Sequence, residues 1–243
     1  MAHILPSALD STVPAAVPGD LSADVSADVS AALLAAGTAS VSDAMDRLGL
    51  AGSAVGILPL APGQRMAGPA FTVRYVPTGA DGGNVGDFID DCLPGQVVVL
   101  DNRGRADCTV WGDILTTVAV RRGLAGTVID GVCRDVSCAV DLGYPMYSRG
   151  RFMRTGKDRV TVAEIGGTVA ISDASVSAGD IVVGDDDGIV VVPRSRAEEV
   201  AAVATTIHGA ESRILDAVRG GARLADARAE YGYHELQRKQ ARS

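Results

Sequence analysis

Three residues of this 243-residue chain have the types and spacing to do chemistry on a small anion: Asp113, Arg134 and Asp135. Gly112-Asp113 opens a predicted helix, Asp113 to Arg122. An apolar run, Gly126 to Ile129, follows as a buried strand, Asp130-Gly131 reads as a turn, and Arg134-Asp135 stand just past it. If the strand ends beside the helix start, two carboxylates, one guanidinium and the unpaired N–H groups of the first helical turn share a crevice. Carboxylates offer hard oxygens to a divalent cation such as Mg2+, while a guanidinium and helix-start amides stabilise a carboxylate or a developing oxyanion. Each residue also has a plain structural reading. A carboxylate at a helix N-terminus is commonly a cap or a dipole partner, and Arg134-Asp135 could be an exposed ion pair of little energetic weight. Position favours the chemical reading, because α/β chains bind ligands beyond the carboxyl ends of their strands.

Other candidate groups are weaker. Gly184-Asp185-Asp186-Asp187-Gly188 has three clustered carboxylates but lacks EF-hand spacing. Lying between two apolar strands, it reads as a hairpin turn. His3, His208 and His234 form no H-x-x-x-H pair for zinc, and no G-x-S-x-G elbow supports a Ser-His-Asp triad. The loop Asp81-Gly-Gly-Asn-Val-Gly86 lacks the Lys-Ser/Thr of a P-loop, and no G-x-G-x-x-G follows a strand, which argues against nicotinamide binding. Glu211, midway along a C-terminal helix, reads by itself as part of a solvated face.

The net charge of −8 comes without a basic stripe, which argues against nucleic acid as a partner. Cys92, Cys108, Cys133 and Cys138 form no C-x-x-C pair. With no secretory signal and no membrane-length apolar run in view, the expectation is a cytoplasmic protein with reduced thiols. Cys133 and Cys138 read as small core residues.

The elements that must position the candidates follow from apolar patterning. Helices are predicted over Ala27 to Ala36 and over Ser40 to Leu48, the second capped by Ser40 or Ser42, and a short one over Asn84 to Asp91. Strands are predicted over Ala67 to Tyr75, Gln96 to Asp101, Thr127 to Ile129, Pro145 to Ser148, Thr168 to Ile171, Asp180 to Val183 and Val190 to Pro193. A long helix spans Arg196 to Gly220. Aromatics are only 4% of a chain that is 47% hydrophobic, so valine, alanine, leucine and isoleucine must build the core. The order predicts an α/β fold with mixed strand directions. Residues 1–20 read as a loose segment, 21–225 as the catalytic domain and 226–243 as a polar tail.

Several of these segments, in this order, resemble RraA-like proteins: Ser40-Val-Ser-Asp43, Gly68-Pro-Ala-Phe-Thr-Val-Arg74, Asp107 to Leu115, Gly126 to Asp135, Gly143 to Gly150 and Gly179 to Pro193. That family includes class II 4-hydroxy-4-methyl-2-oxoglutarate / 4-carboxy-4-hydroxy-2-oxoadipate aldolases and regulators of ribonuclease E. An old label as demethylmenaquinone methyltransferases does not suit this chain, which has no S-adenosylmethionine-binding glycine motif. The aldolase branch is marked by an Asp, twenty intervening residues and then Arg-Asp, which Asp113 and Arg134-Asp135 match.

The resemblance implies a swivelling β/β/α sandwich with mixed sheets and a long C-terminal helix, assembled as a homotrimer or homohexamer. It implies Asp135 as the residue holding Mg2+ or Mn2+ in a hydrated shell, with Glu211 of a neighbouring subunit reaching that shell. Arg134 would contact the keto oxygen of an oxo-acid, and Asp113 would orient a water as general acid/base. Gly112, Asp113, Ile114 and Leu115 would receive the substrate carboxylate at the helix start. The implied reaction cleaves a 4-hydroxy-2-oxo acid to pyruvate and a second oxo compound, with oxaloacetate decarboxylation as a side activity. Two departures bear on the substrate. Cys138 stands where aldolases of the family carry an acid, with Asp141 three residues on, and the loop from Gly79 to Asp87 has no extra arginine. Arg74, Arg103, Arg149 or Arg154 would then take a second substrate carboxylate. The alternatives are a non-catalytic regulator of ribonuclease partners and a diverged lyase or isomerase acting on another oxo-acid.

Overall fold

The computed structural model describes residues 27–79, 83 and 85–233. The predicted loose segment 1–20, His3, His234 and much of the glycine-rich loop at 81–84 lie outside these. The strands are β1 (Leu58–Pro59), β2 (Met66–Pro77), β3 (Val97–Thr109), β4 (Gly126–Cys133), β5 (Met146–Arg151), β6 (Val160–Ile165), β7 (Val169–Ile171), β8 (Ala174–Val176), β9 (Ile181–Asp185) and β10 (Gly188–Val192). The α-helices are α1 (Ala27–Arg47), α2 (Asp113–Arg122), α3 (Val136–Asp141), α4 (Ala197–Arg219) and α5 (Leu224–Glu230), with a 3-10 turn at Asp87–Asp91 in place of the predicted helix there.

The main sheet runs β1-β5-β4-β3-β2-β9-β10, with β6 also paired to β2. Strands β2 to β5 are parallel, while β1, β6, β9 and β10 join antiparallel, giving the mixed α/β sheet. Twelve-residue β2 has β3 along one edge, at Ala70–Arg74, and β9 and then β6 along the other, at Met66–Pro69 and Val73–Pro77. Every residue of β4 is buried, as a central parallel strand covered on both faces requires. One face packs Val98, Leu100 and Ile129 with Trp111, Ala119 and Ala139 of the α2 and α3 layer. The other packs Val97, Val99 and Val128 against Ile171 and Val176 of the β7–β8 hairpin. Leu33, Val41 and Ala44 of α1 and Val200, Ala204 and Ile207 of α4 close over Ile181, Val183, Val190 and Val192. No helix among the described residues is long and apolar enough to cross a membrane.

Two local expectations are corrected. Asp130-Gly131 is not a turn: β4 continues to Cys133, with register shifts against both neighbours before Val132. The strand absorbs Asp130 because its buried carboxylate accepts from Arg149 Nε and from the Ser172 amide at 2.9 Å. The two N-terminal helices are present as predicted, meeting at a kink where Gly37 leaves helical geometry (φ 80°, ψ 161°). The second half is not capped by Ser40 or Ser42. Asp185, at the end of β9, accepts from the Thr38 amide at 2.8 Å and from Thr38 Oγ1 at 2.5 Å. The acidic Gly184–Gly188 segment is the predicted hairpin, with Asp185 paired to Gly188.

Candidate active site

The site grows from two neighbouring parallel strands. β3 and β4 run side by side to Thr109↔Val132, and each then feeds a helix, α2 after β3 and α3 after β4. Both connections emerge at the carboxyl edge, where strand-end crevices form. The Arg134 amide donates to the Trp111 carbonyl at 3.3 Å, so the two connections stay joined just beyond the strands. Trp111 is buried and fixes the start of α2: its indole N–H donates to Thr116 Oγ1 at 2.9 Å, and its ring stacks with Tyr144 at 6.4 Å. The other end of α2 is closed by Gly123 (φ 70°), a left-handed residue that returns its N–H to the Ala119 and Val120 carbonyls. This helix has the predicted boundaries.

The fold brings Asp113, Arg134 and Asp135 together. Asp135 Oδ2 accepts from the Asp113 amide at 3.2 Å and pairs with Arg134 Nε at 3.2 Å. Both contacts fall on Oδ2, and among the described residues Oδ1 has no protein partner. Asp135 holds a left-handed backbone (φ 56°, ψ 39°), which aspartate tolerates better than most side chains. Gly112 makes the close approach possible, since a Cβ there would sit 2.6 Å from Asp135 Oδ2 and 3.1 Å from Arg134 Nε. The Arg134 and Asp135 side chains are each 38% exposed, so the group opens to solvent.

The helix-start amides are partly engaged. Asp113 Oδ1 accepts from the Ile114 amide at 2.8 Å, and the Asp113 amide is given to Asp135. A substrate carboxylate at Ile114 would therefore replace the Asp113 side chain, which is exposed and free to turn. Glu211 lies elsewhere in the chain, on α4, where Ser40 Oγ donates to its Oε2 at 3.5 Å. Among the described residues no three His, Cys, Asp or Glu side chains gather into a metal-holding group. Asp113 and Asp135 nonetheless fit a hard divalent cation that keeps most of its water, as Mg2+ does when bound through one or two carboxylates.

A cavity of about 350 Å³ adjoins this group, lined by Cys133, Arg134, Asp135, Val136, Arg151, Phe152 and Met153. The last three were missed from sequence. The sequence marks a strand at Pro145 to Ser148, but only its pairing with β4 puts Arg151 at the same edge. None of Arg74, Arg103, Arg149 and Arg154 lines the cavity. Arg74 pairs with Glu164 at 2.7 Å, Arg149 with Asp130, and Arg154 lies over the Phe152 ring at 5.7 Å. Burial pushes the Cys133 thiol up, against weaker opposing pulls from Ser148 and Arg151, so it stays protonated as a wall residue. Cys138 is half-buried, not core, and its amide donates to the Asp135 carbonyl at 3.1 Å.

The model of the RraA-like family, described as Aldolase/RraA, matches residues 38–191, which contain Asp113, Arg134 and Asp135. Protein DlpA of Legionella pneumophila is 38% identical over 82% of this chain, and the match spans 33% of that protein's length. A Halalkalibacterium halodurans protein named "Putative 4-hydroxy-4-methyl-2-oxoglutarate aldolase" is 33% identical over 67% of this chain and 75% of its own. A crystal structure of an uncharacterized protein from Pseudomonas syringae pv. tomato superposes with a TM-score of 0.79 at 41% identity, covering 84% of this chain and 98% of that one. On the family match and these relatives, the chain belongs to the RraA-like family.

Proposed function

We propose that the protein is a divalent-metal-dependent lyase that cleaves a 4-hydroxy-2-oxo acid, of the 4-hydroxy-4-methyl-2-oxoglutarate type, to pyruvate and a second oxo compound. The observation that carries this reading is the convergence of Asp113, Arg134 and Asp135 on one strand-end crevice. The name of the Halalkalibacterium relative supports the same chemistry.

Asp135 would hold Mg2+ or Mn2+ through Oδ1, with Asp113 close by. When bound, the ion supplies Lewis acidity toward the keto oxygen of the substrate. Arg134 donates to that oxygen as negative charge develops during C–C cleavage, a role that fixed donors fill without reorganisation. The α2 amides receive the carboxylate of the pyruvyl half once Asp113 turns from Ile114. Asp113, so released, exchanges a proton with the leaving half through a water. Oxaloacetate decarboxylation would develop the same charge at the same atom, which makes it the expected side activity.

Assembly as a homotrimer or homohexamer is part of this reading. Ile114 and Met153, 74% and 75% exposed beside the crevice, are apolar side chains that a neighbouring copy would cover. Such a copy is the route by which Glu211 would approach the metal's water shell. Arg134→Ala and Asp135→Ala test the assignment. Each is expected to lower pyruvate release at least about a hundredfold while leaving the assembly size unchanged in gel filtration. Turnover near that of the unaltered protein in either variant contradicts it.

A further inference from the structure

The cavity has a second cationic wall that the proposed chemistry leaves unused. Cys133 to Val136 enter it from the end of β4, and Arg151 to Met153 from the end of β5. The two walls are held together by the Cys133↔Arg151 pairing and by the Phe152 amide donating to the Cys133 carbonyl at 2.9 Å. Arg151 is fixed but not neutralised. Its Nη2 donates to the Leu60 carbonyl at 2.8 Å, and among the described residues no carboxylate forms a salt bridge with it. Arg74, Arg105 and Arg149, by contrast, are each paired with an acid.

The surrounding segment strengthens the field. Beyond Arg149, whose charge Asp130 neutralises, residues 150–159 hold four cationic side chains and one acid in a chain whose net charge is −8. Local positive potential of this kind concentrates anions at a cleft. Phe152 and Met153 add apolar surface to the same cavity. Two arginines entering one cavity from two strand ends, with apolar side chains in the same lining, match a short carbon chain with an anionic group at each terminus.

We infer that Arg151 is a specificity-determining residue that binds the distal carboxylate of a dicarboxylic 2-oxo acid. The inference rests on the proposed reading of the Arg134–Asp135 end as the 2-oxo-acid end.

The test is binding, which needs no turnover. The unaltered protein, Arg151→Ala and Arg151→Lys are titrated calorimetrically, with Mg2+ present, against 2-oxoglutarate and against 2-oxopentanoate, whose chain ends in a methyl group. The unaltered protein is expected to prefer the diacid by about tenfold or more, the range of a charge-assisted contact. Arg151→Ala should reduce that preference to about twofold, and Arg151→Lys should restore part of it, because an ammonium keeps the charge without the fork. A merely structural role for Arg151 would weaken both acids equally and leave the preference in place, which overturns the inference. So does an unaltered protein with no preference for the diacid, including one that binds neither. If the preference and its loss are seen but no 4-hydroxy-2-oxo acid yields pyruvate, the lyase reading fails and the role of Arg151 stands.

Discussion

The Asp113 amide donates to Asp135 Oδ2 at 3.2 Å across 22 positions of sequence, and this bond joins the connection after β3 to the connection after β4. It depends on Gly112, where any Cβ would fall 2.6 Å from the same oxygen. Gly112→Ala is therefore expected to displace Asp135 without disturbing the core. Displacement of a reacting group by about 1 Å costs about a hundredfold in rate. The expected result is a loss of that order in kcat/KM for pyruvate release, weaker Mn2+ binding by electron paramagnetic resonance, and an unchanged far-ultraviolet circular dichroism spectrum. Retained Mn2+ affinity would mean that Asp135 does not hold the metal.

The Asp130–Arg149 pair serves stability instead. Asp130 is 7% exposed and Arg149 is 32% exposed, so removing the arginine leaves a buried carboxylate with only the Ser172 amide. Arg149→Ala is expected to cost about 2 kcal/mol in urea unfolding, below the range for fully buried pairs because Arg149 is partly solvated. Adding Asp130→Asn should recover part of that loss, since a neutral amide needs no cation. Additive losses would show that the two side chains do not interact.

Asp185 caps the second half of α1 from another element. Asp185→Ala removes the acceptor of both the Thr38 amide and its hydroxyl. A lost helix cap costs about 1–2 kcal/mol, and Asp185→Asn should cost less because its amide oxygen still accepts. Equal unfolding midpoints for Asp185→Ala and the unaltered protein would contradict this.

Much of the site was legible because its parts are local. Apolar runs give β3 and β4, and Gly112-Asp113 with Gly123 gives α2 to the residue. The twenty-residue spacing of Asp113 and Arg134 fits one helix and one strand returning to the same edge. What stayed hidden is what long-range pairing decides. Asp130-Gly131 reads as a turn by composition, but Arg149 and Ser172 hold Asp130 in a strand. Ser40 and Ser42 have capping chemistry, yet Asp185 lies 147 positions away and takes that role. Arg151 carries no sequence signal that separates it from the other arginines. Only the β4–β5 pairing puts it at the crevice while Arg74 and Arg149 spend their charge on Glu164 and Asp130.

Thiol chemistry should divide the cysteines by burial. Burial pushes the Cys92 thiol up to about 12 and raises Cys133. A raised thiol stays protonated in the folded chain, so its contribution to stability is full below the ordinary thiol value near 9 and fades as pH climbs toward about 12. At pH 8 the native protein is expected to release one equivalent of thionitrobenzoate per chain from Ellman's reagent, from Cys138, with the buried Cys92, Cys108 and Cys133 reacting only after denaturation. Rapid reaction of a second thiol in the native protein would contradict the packing described for β3 and β4.

The most direct test of the account is pyruvate release from 4-hydroxy-4-methyl-2-oxoglutarate in a coupled assay, before and after exhaustive chelation and again after Mg2+ is restored. The account predicts turnover that chelation abolishes and Mg2+ or Mn2+ returns. Turnover that survives complete removal of divalent metal would contradict the role given to Asp135, and no pyruvate under any metal condition would contradict the lyase itself.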